Sequence, residues 1–191
     1  MLRLCSLGSG SGGNGLVVEA SDGLASNRVL VDNGFNLRQL SRRLERIGLD
    51  IAALDAVFVT HEHSDHAAGI RRLALKHGVA VYCTAGTAAA CDFDALGVAW
   101  IRVQDGVAVE VGGLRIEPYA VPHDANEPVQ YTFTDGARRA GLLTDAGDCS
   151  EAILAALAGL HALVLECNHD AAMLRQGAYP PFLQARIGGG L

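Results

Sequence analysis

The segment that most restricts this chain is Phe-Val-Thr-His-Glu-His-Ser-Asp-His at 58–66. An apolar run, Val57 to Val59, closes on Thr60, and His61, Glu62, His63, Asp65 and His66 follow at once. The run has the character of a buried strand, so the cluster stands where a strand leaves the core. A polar loop capping a helix, with Ser64 or Asp65 as N-cap, does not need three histidines. Imidazole and carboxylate together suit zinc, manganese or iron. Alternate residues of an extended segment point the same way, so His61 and His63 can grip one ion. Asp65 and His66, after the chain turns into a helix, can face a second. Two ions roughly 3.5–4 Å apart can share a water and lower its pKa toward ~7, which gives a hydroxide nucleophile at neutral pH.

Such a centre needs ligands from elsewhere in the chain. His123 follows a predicted strand at 114–120, and Asp145 follows another at 139–144. Alone, His123 reads as a solvated loop residue and Asp145 as a turn residue. Together they supply a third histidine for the first ion and a carboxylate able to bridge both.

The rest of the pattern is strand-rich. Strands are predicted at 2–7, 15–20, 28–33, 54–59, 79–83, 98–103, 107–111, 114–120, 129–134, 139–144 and 162–167. Gly112-Gly113 and Asp135-Gly136 are hairpin turns. A helix is expected from Asn36, with Gln39 in the reciprocal capping position, an apolar stripe at Leu37, Leu40, Leu44 and Ile47, and a stop at Gly48. Further helices are expected at about 66–77, ended by Gly78, and at about 150–158. The sum is a mixed α/β (α+β) domain over 1–191, two sheets packed together with helices outside.

Composition narrows the function classes. Half of the 191 residues are apolar, which fits a chain with a real core. No apolar run approaches the ~20 residues of a membrane helix, and the N-terminus carries no secretory pattern, so the expectation is a cytoplasmic protein without membrane contact. Cys5, Cys83, Cys91, Cys149 and Cys167 are scattered and form no C-x-x-C pair, which argues against disulfides or a thiolate zinc site. A net charge of -6 excludes a general basic surface for nucleic acid, although bound cations would locally reverse the sign. Arg38, Arg42 and Arg46, with Arg43 alongside, read as the solvated face of a helix. The loop Gly8–Gly15 lacks a P-loop ending and reads as a tight turn, with substrate contact as a secondary role.

Four segments in order, LVDNG, THEHSDHAAGI, VPHDA and LLTDAGD, resemble the metallo-β-lactamase superfamily of metal-dependent hydrolases. SLGSGSGGNG at 6–15 and LECNHDAAMLRQGAYPPFLQARI at 165–187 resemble its YycJ/WalJ branch, associated with exonuclease action on DNA. The resemblance implies an αββα sandwich and two divalent ions, zinc or manganese. His61, His63 and His123 match the ligands of the first ion. Asp65 and His66 match those of the second, Asp145 the bridging acid and Asp32 an acid that braces the histidine loop. Asp65 is the candidate to orient the nucleophile or accept its proton. Glu166 and His169 either aid proton transfer or hold the metal-binding loop.

Family members continue past the segment matching 165–187, with a later histidine that completes the second metal position. The resemblance therefore implies a C-terminally truncated chain, with water filling that place. Alternatives are hydrolysis of a small thioester, lactam or ester at the same site, or an inactive metal-binding fragment. The polarity of cleavage, the native metal and the oligomeric state stay open.

Overall fold

The computed structural model describes residues 1–167, 170–182 and 184. Strands β1 (Leu2–Gly8), β2 (Gly15–Ser21), β3 (Ser26–Val31), β4 (Ala56–Phe58), β5 (Ala80–Cys83) and β6 (Trp100–Arg102) form one sheet in sequence order. Strands β7 (Val109–Val111), β8 (Leu114–Ala120), β9 (Val129–Thr134), β10 (Arg139–Leu143) and β11 (Ala162–Leu165) form the other, in the order β11-β10-β9-β8-β7. The pairs from β3 to β6 are parallel, as is β10 with β11.

Period-two alternation splits each inner strand between two cores. Leu16, Val18, Val29, Val31, Ala56 and Phe58 face Leu114, Ile116, Tyr131 and Phe133 across the two sheets. Their neighbours Val17, Leu30, Val57 and Val81 point outward onto a helical layer. That layer holds α1 (Leu37–Glu45), α2 (Ser64–Ala67), α3 (Ile70–His77) and α4 (Ala85–Ala90), with Leu40, Leu44, Ile70, Leu73 and Ala88 in the shared core. On the far side α5 (Glu151–Ala156) places Ile153 against Tyr119, Val121 and Leu143. A sixth helix, α6, spans Ala171–Gln176. The layers are helix, sheet, sheet, helix, as the sequence resemblance implies.

α1 carries both halves of the expected capping box: Gln39 N–H donates to Asn36 Oδ1 at 2.9 Å, and Asn36 N–H to Gln39 Oε1 at 3.1 Å. The helix ends before Ile47, which is 37% exposed and so drops out of the expected stripe. Arg38, Arg42 and Arg46 are exposed, while Arg43 lies over the Phe35 ring at 4.1 Å and donates to the Leu7 carbonyl. The predicted helix at 66–77 is two helices. The helical ladder breaks there because Gly69 N–H donates to the Asn33 carbonyl while the Asp65 and His66 carbonyls accept from Asn14 and Asn33, and only glycine fits at 69, where a Cβ would fall 2.1 Å from the Phe35 carbonyl oxygen. All five cysteines are free thiols. Among the described residues no helix is long and apolar enough to cross a membrane.

Candidate metal centre

The site lies where strands of both sheets end. Asp32 follows β3, the segment 60–66 follows β4, His123 follows β8 and Asp145 follows β10. Open α/β sheets bind ligands at the carboxyl ends of their strands for the same reason: loops diverge there while backbone direction stays fixed. The two sheets are tied at this edge. Tyr131 Oη donates to the Val59 carbonyl at 2.8 Å, and Val129 N–H to the Thr60 carbonyl at 3.1 Å.

A buried hydrogen-bond chain sets the histidine rings. Asp32 takes up a left-handed backbone, φ 59°. Its Oδ1 accepts from Thr60 N–H at 2.8 Å, and its Oδ2 accepts from Thr60 Oγ1 and from His66 Nδ1, each at 2.8 Å. The Thr60 hydroxyl proton is thereby used, so Thr60 Oγ1 accepts from His61 Nδ1 at 2.9 Å. Both rings are held through Nδ1, and both turn Nε2 toward the same point. Asp32, Thr60, His61 and His66 are each at most 3% exposed.

Two groups of ligand atoms result. His61, His63 and His123 form one and His61, His66 and Asp145 the other, with atoms within 4.8 Å of one another in each. His123 Nε2 lies 3.2 Å from His63 Nδ1, and His66 Nε2 lies 3.2 Å from Asp145 Oδ2. Asp65 falls outside both groups, its Oδ2 3.6 Å from His66 Nε2. His169 lies outside the described residues.

These donors fit a divalent cation. His61 Nε2 is buried and has no hydrogen-bond partner, a costly state for a polar atom unless something coordinates it. Burial, reinforced by the charge of His66, lowers the His61 pKa to about 3, which keeps the ring neutral and able to donate its lone pair. Burial also lowers His123, against the pull of Asp145. His66 behaves differently: burial opposes its charge, but Asp32 and Asp145 outweigh that and raise its pKa to about 10. Burial disfavours charge on Asp145 too, yet its hydrogen bond with His66 brings it down to about 2.

The loops that carry the outlying residues are braced. Asn126 N–H donates to Glu62 Oε1 at 2.9 Å, and Gly147 N–H to the Pro122 carbonyl at 2.8 Å, which fixes the loop of His123. Asp145 is left-handed, φ 49°, and its N–H donates to Glu166 Oε2 at 2.7 Å. Asn14 reaches the site as well, a residue that sequence reasoning left inside a turn. The segment SLGSGSGGNG that carries it belongs to the family resemblance, which implies a loop near the metal site without singling out Asn14.

A four-layer αββα sandwich with histidines and aspartates converging at its strand ends defines a metal-dependent hydrolase. The β-lactamase superfamily domain matches residues 27–184, and the chain belongs to that family. It is 34% identical to exodeoxyribonuclease YycJ of Bacillus anthracis over 97% of this chain and 70% of the relative. With exodeoxyribonuclease WalJ of Streptococcus pneumoniae it shares 33% identity over 95% of this chain and 68% of the relative. Among solved structures, the metallo-β-lactamase fold protein YhfI of Bacillus subtilis superposes with a TM-score of 0.72 at 20% identity, covering 88% of this chain and 71% of that one.

Proposed function

We propose that this chain is a metal-dependent phosphodiesterase acting on DNA, an exonuclease, with two divalent ions, zinc or manganese, as cofactors. The observation that carries the reading is the convergence of His61, His63, His66, His123 and Asp145 at one sheet edge. The substrate is supported by the similarity to two exodeoxyribonucleases.

His61, His63 and His123 would hold one ion. Asp65, His66 and Asp145 would hold the other, with Asp145 proposed as the acid shared between them. When bound, the ions supply Lewis acidity toward a phosphoryl oxygen and lower the pKa of a coordinated water toward about 7. The chain's own groups prepare that chemistry. Asp32 and Thr60 fix His61 and His66 through Nδ1, so both Nε2 atoms are available. Asp65, with its side chain 28% exposed at the rim, orients the attacking water or accepts its proton. Glu166 steadies Asp145, or else passes a proton toward the leaving group, a role that His169 could share. Net charge is -6, so attraction for the DNA backbone comes from the bound cations rather than from a basic surface. A cytoplasmic setting belongs to the same proposal.

The test is turnover by the metal-loaded chain of a labelled single-stranded oligonucleotide and of bis(p-nitrophenyl) phosphate. The expected result is cleavage of both, abolished by His61→Ala. Turnover of acyl-glutathione with neither phosphodiester touched would overturn the substrate assignment. DNA binding without cleavage, unaffected by His61→Ala, would overturn the enzymatic one.

A further inference from the structure

The glycine-rich segment before β2 is fastened to the metal centre by one side chain. Asn14 Nδ2 lies 3.1 Å from Asp65 Oδ2, 3.3 Å from the Asp65 carbonyl oxygen and 2.9 Å from His66 Nε2. The orientation of its amide is settled by chemistry: Gly10 N–H donates to Asn14 Oδ1 at 2.9 Å, which leaves the NH2 group to face the site. The backbone of Asn14 is engaged too. Its N–H donates to the Asp65 carbonyl at 2.7 Å, and its own carbonyl accepts from Gly34 N–H at 3.1 Å. The approach is so close that a Cβ on Gly34 would fall 1.9 Å from the Asp65 carbonyl oxygen. Asn14 is therefore a fixed part of the centre, while Ser9 to Gly12 stand exposed at its rim.

We propose that Asn14 is a positioning residue for the second metal position, acting as a hydrogen-bond donor that holds the Asp65 carboxylate beside His66. Asp65 needs such a clamp. It lies outside both tight ligand groups, and its carboxylate is partly solvated. A carboxylate free to rotate there gives up ordering entropy when it coordinates; one already hydrogen-bonded gives up less. The first position, made of His61, His63 and His123, does not touch Asn14, so the effect falls on one ion.

The inference rests on the two-ion reading above. The experiment is zinc titration against a chromophoric chelator, with stoichiometry and both affinities measured on the wild-type chain, Asn14→Ala and Asn14→Asp. Far-ultraviolet circular dichroism and melting of the metal-free proteins accompany it. Expected is a loss of roughly 10–100-fold in affinity for the second ion only, in both variants, as for other groups that orient a ligand. First-ion affinity should stay within about threefold of wild type. Asn14→Ala removes the donor without adding charge; Asn14→Asp is close to isosteric and preserves an acceptor for Gly10, but sets a carboxylate against Asp65 in place of the donor. Two ions held equally well by the wild type and both variants would overturn the role of Asn14 alone. Second-ion binding by Asn14→Ala as tight as that of the wild type would also overturn it, because Asp65 would then need no amide to hold it. Equal loss of both ions with a lowered melting temperature would reduce Asn14 to a structural residue. A wild-type chain that binds one ion would overturn the two-ion reading, and this inference with it.

Discussion

The two sheets contribute to the metal centre in unlike ways. The first sheet delivers Asp32, Thr60, His61 and His66 from strand ends, buried and joined by four hydrogen bonds of 2.8–2.9 Å. The second delivers His123 and Asp145 from loops, partly exposed; Asn126 N–H on Glu62 and Gly147 N–H on the Pro122 carbonyl brace the loop of His123, and Asp145 N–H donates to Glu166. One half is thus rigid before any cation arrives, and the other is placed by braces that can be cut singly. A hydrolytic centre profits from both. Fixed imidazoles set where the metal sits, and a less buried acid lets substrate and water exchange.

The largest effect should come from breaking the rigid half. Asp32→Ala leaves the buried His66 ring without its partner and Thr60 without its acceptor. The expected cost is roughly 3–5 kcal/mol of stability in the metal-free chain, read by denaturant unfolding. An effect below ~1 kcal/mol would mean the two halves do not differ as described. Asp145→Ala should separate metal binding from stability. It removes a partly exposed carboxylate, so about 1 kcal/mol is expected, together with loss of one bound ion. Loss of stability equal to that of Asp32→Ala would contradict the contrast.

Smaller changes sharpen it. Glu166→Ala releases the left-handed Asp145 and should weaken second-ion binding about tenfold, while Glu166→Gln, which still accepts from Asp145 N–H, should keep it within about threefold. If the Gln variant holds both ions yet loses turnover, Glu166 moves a proton instead. The smallest expected effect is on pH dependence in the presence of chelator. His66 is raised from 6.5 to about 10, so its contribution is full below 6.5 and is lost as pH rises through 10. His61 is lowered from 6.5 to about 3, so its contribution is present above 6.5 and is lost as pH falls toward 3. Melting temperature should therefore peak near pH 6.5 and fall on both sides. Added metal displaces the His66 proton and should flatten the alkaline arm. A melting temperature that keeps climbing above pH 8 without metal would contradict the charge assigned to His66.

Much of this was legible in the sequence because the rigid half is local. His61 to His66 are contiguous and follow an apolar run, and the strands next to the site read as short apolar or alternating runs. The capping box at Asn36 was legible for the same reason: both partners lie within one turn. What stayed hidden depends on tertiary contact. The break at Gly69 is set by hydrogen bonds to Asn33 and Asn14, which sequence spacing does not place nearby. Helix α4 lacks an apolar stripe, since Ala85 to Ala90 are small residues, and its Thr84 cap is the only local cue. Asn14 looks like any turn residue until Asp65, distant in sequence, is packed against it. Sequence spacing also does not place the Glu166 carboxylate on the Asp145 amide, where it accepts at 2.7 Å.

The most direct measurement is metal content per folded chain, by plasma mass spectrometry on protein purified without added metal. About two ions per chain, falling to about one in Asp145→Ala and to none in His61→Ala, is the expected result, because His61 belongs to both ligand groups. A folded wild-type chain that retains no metal, and gains none when zinc or manganese is supplied, would contradict the assignment of this cluster as a metal centre.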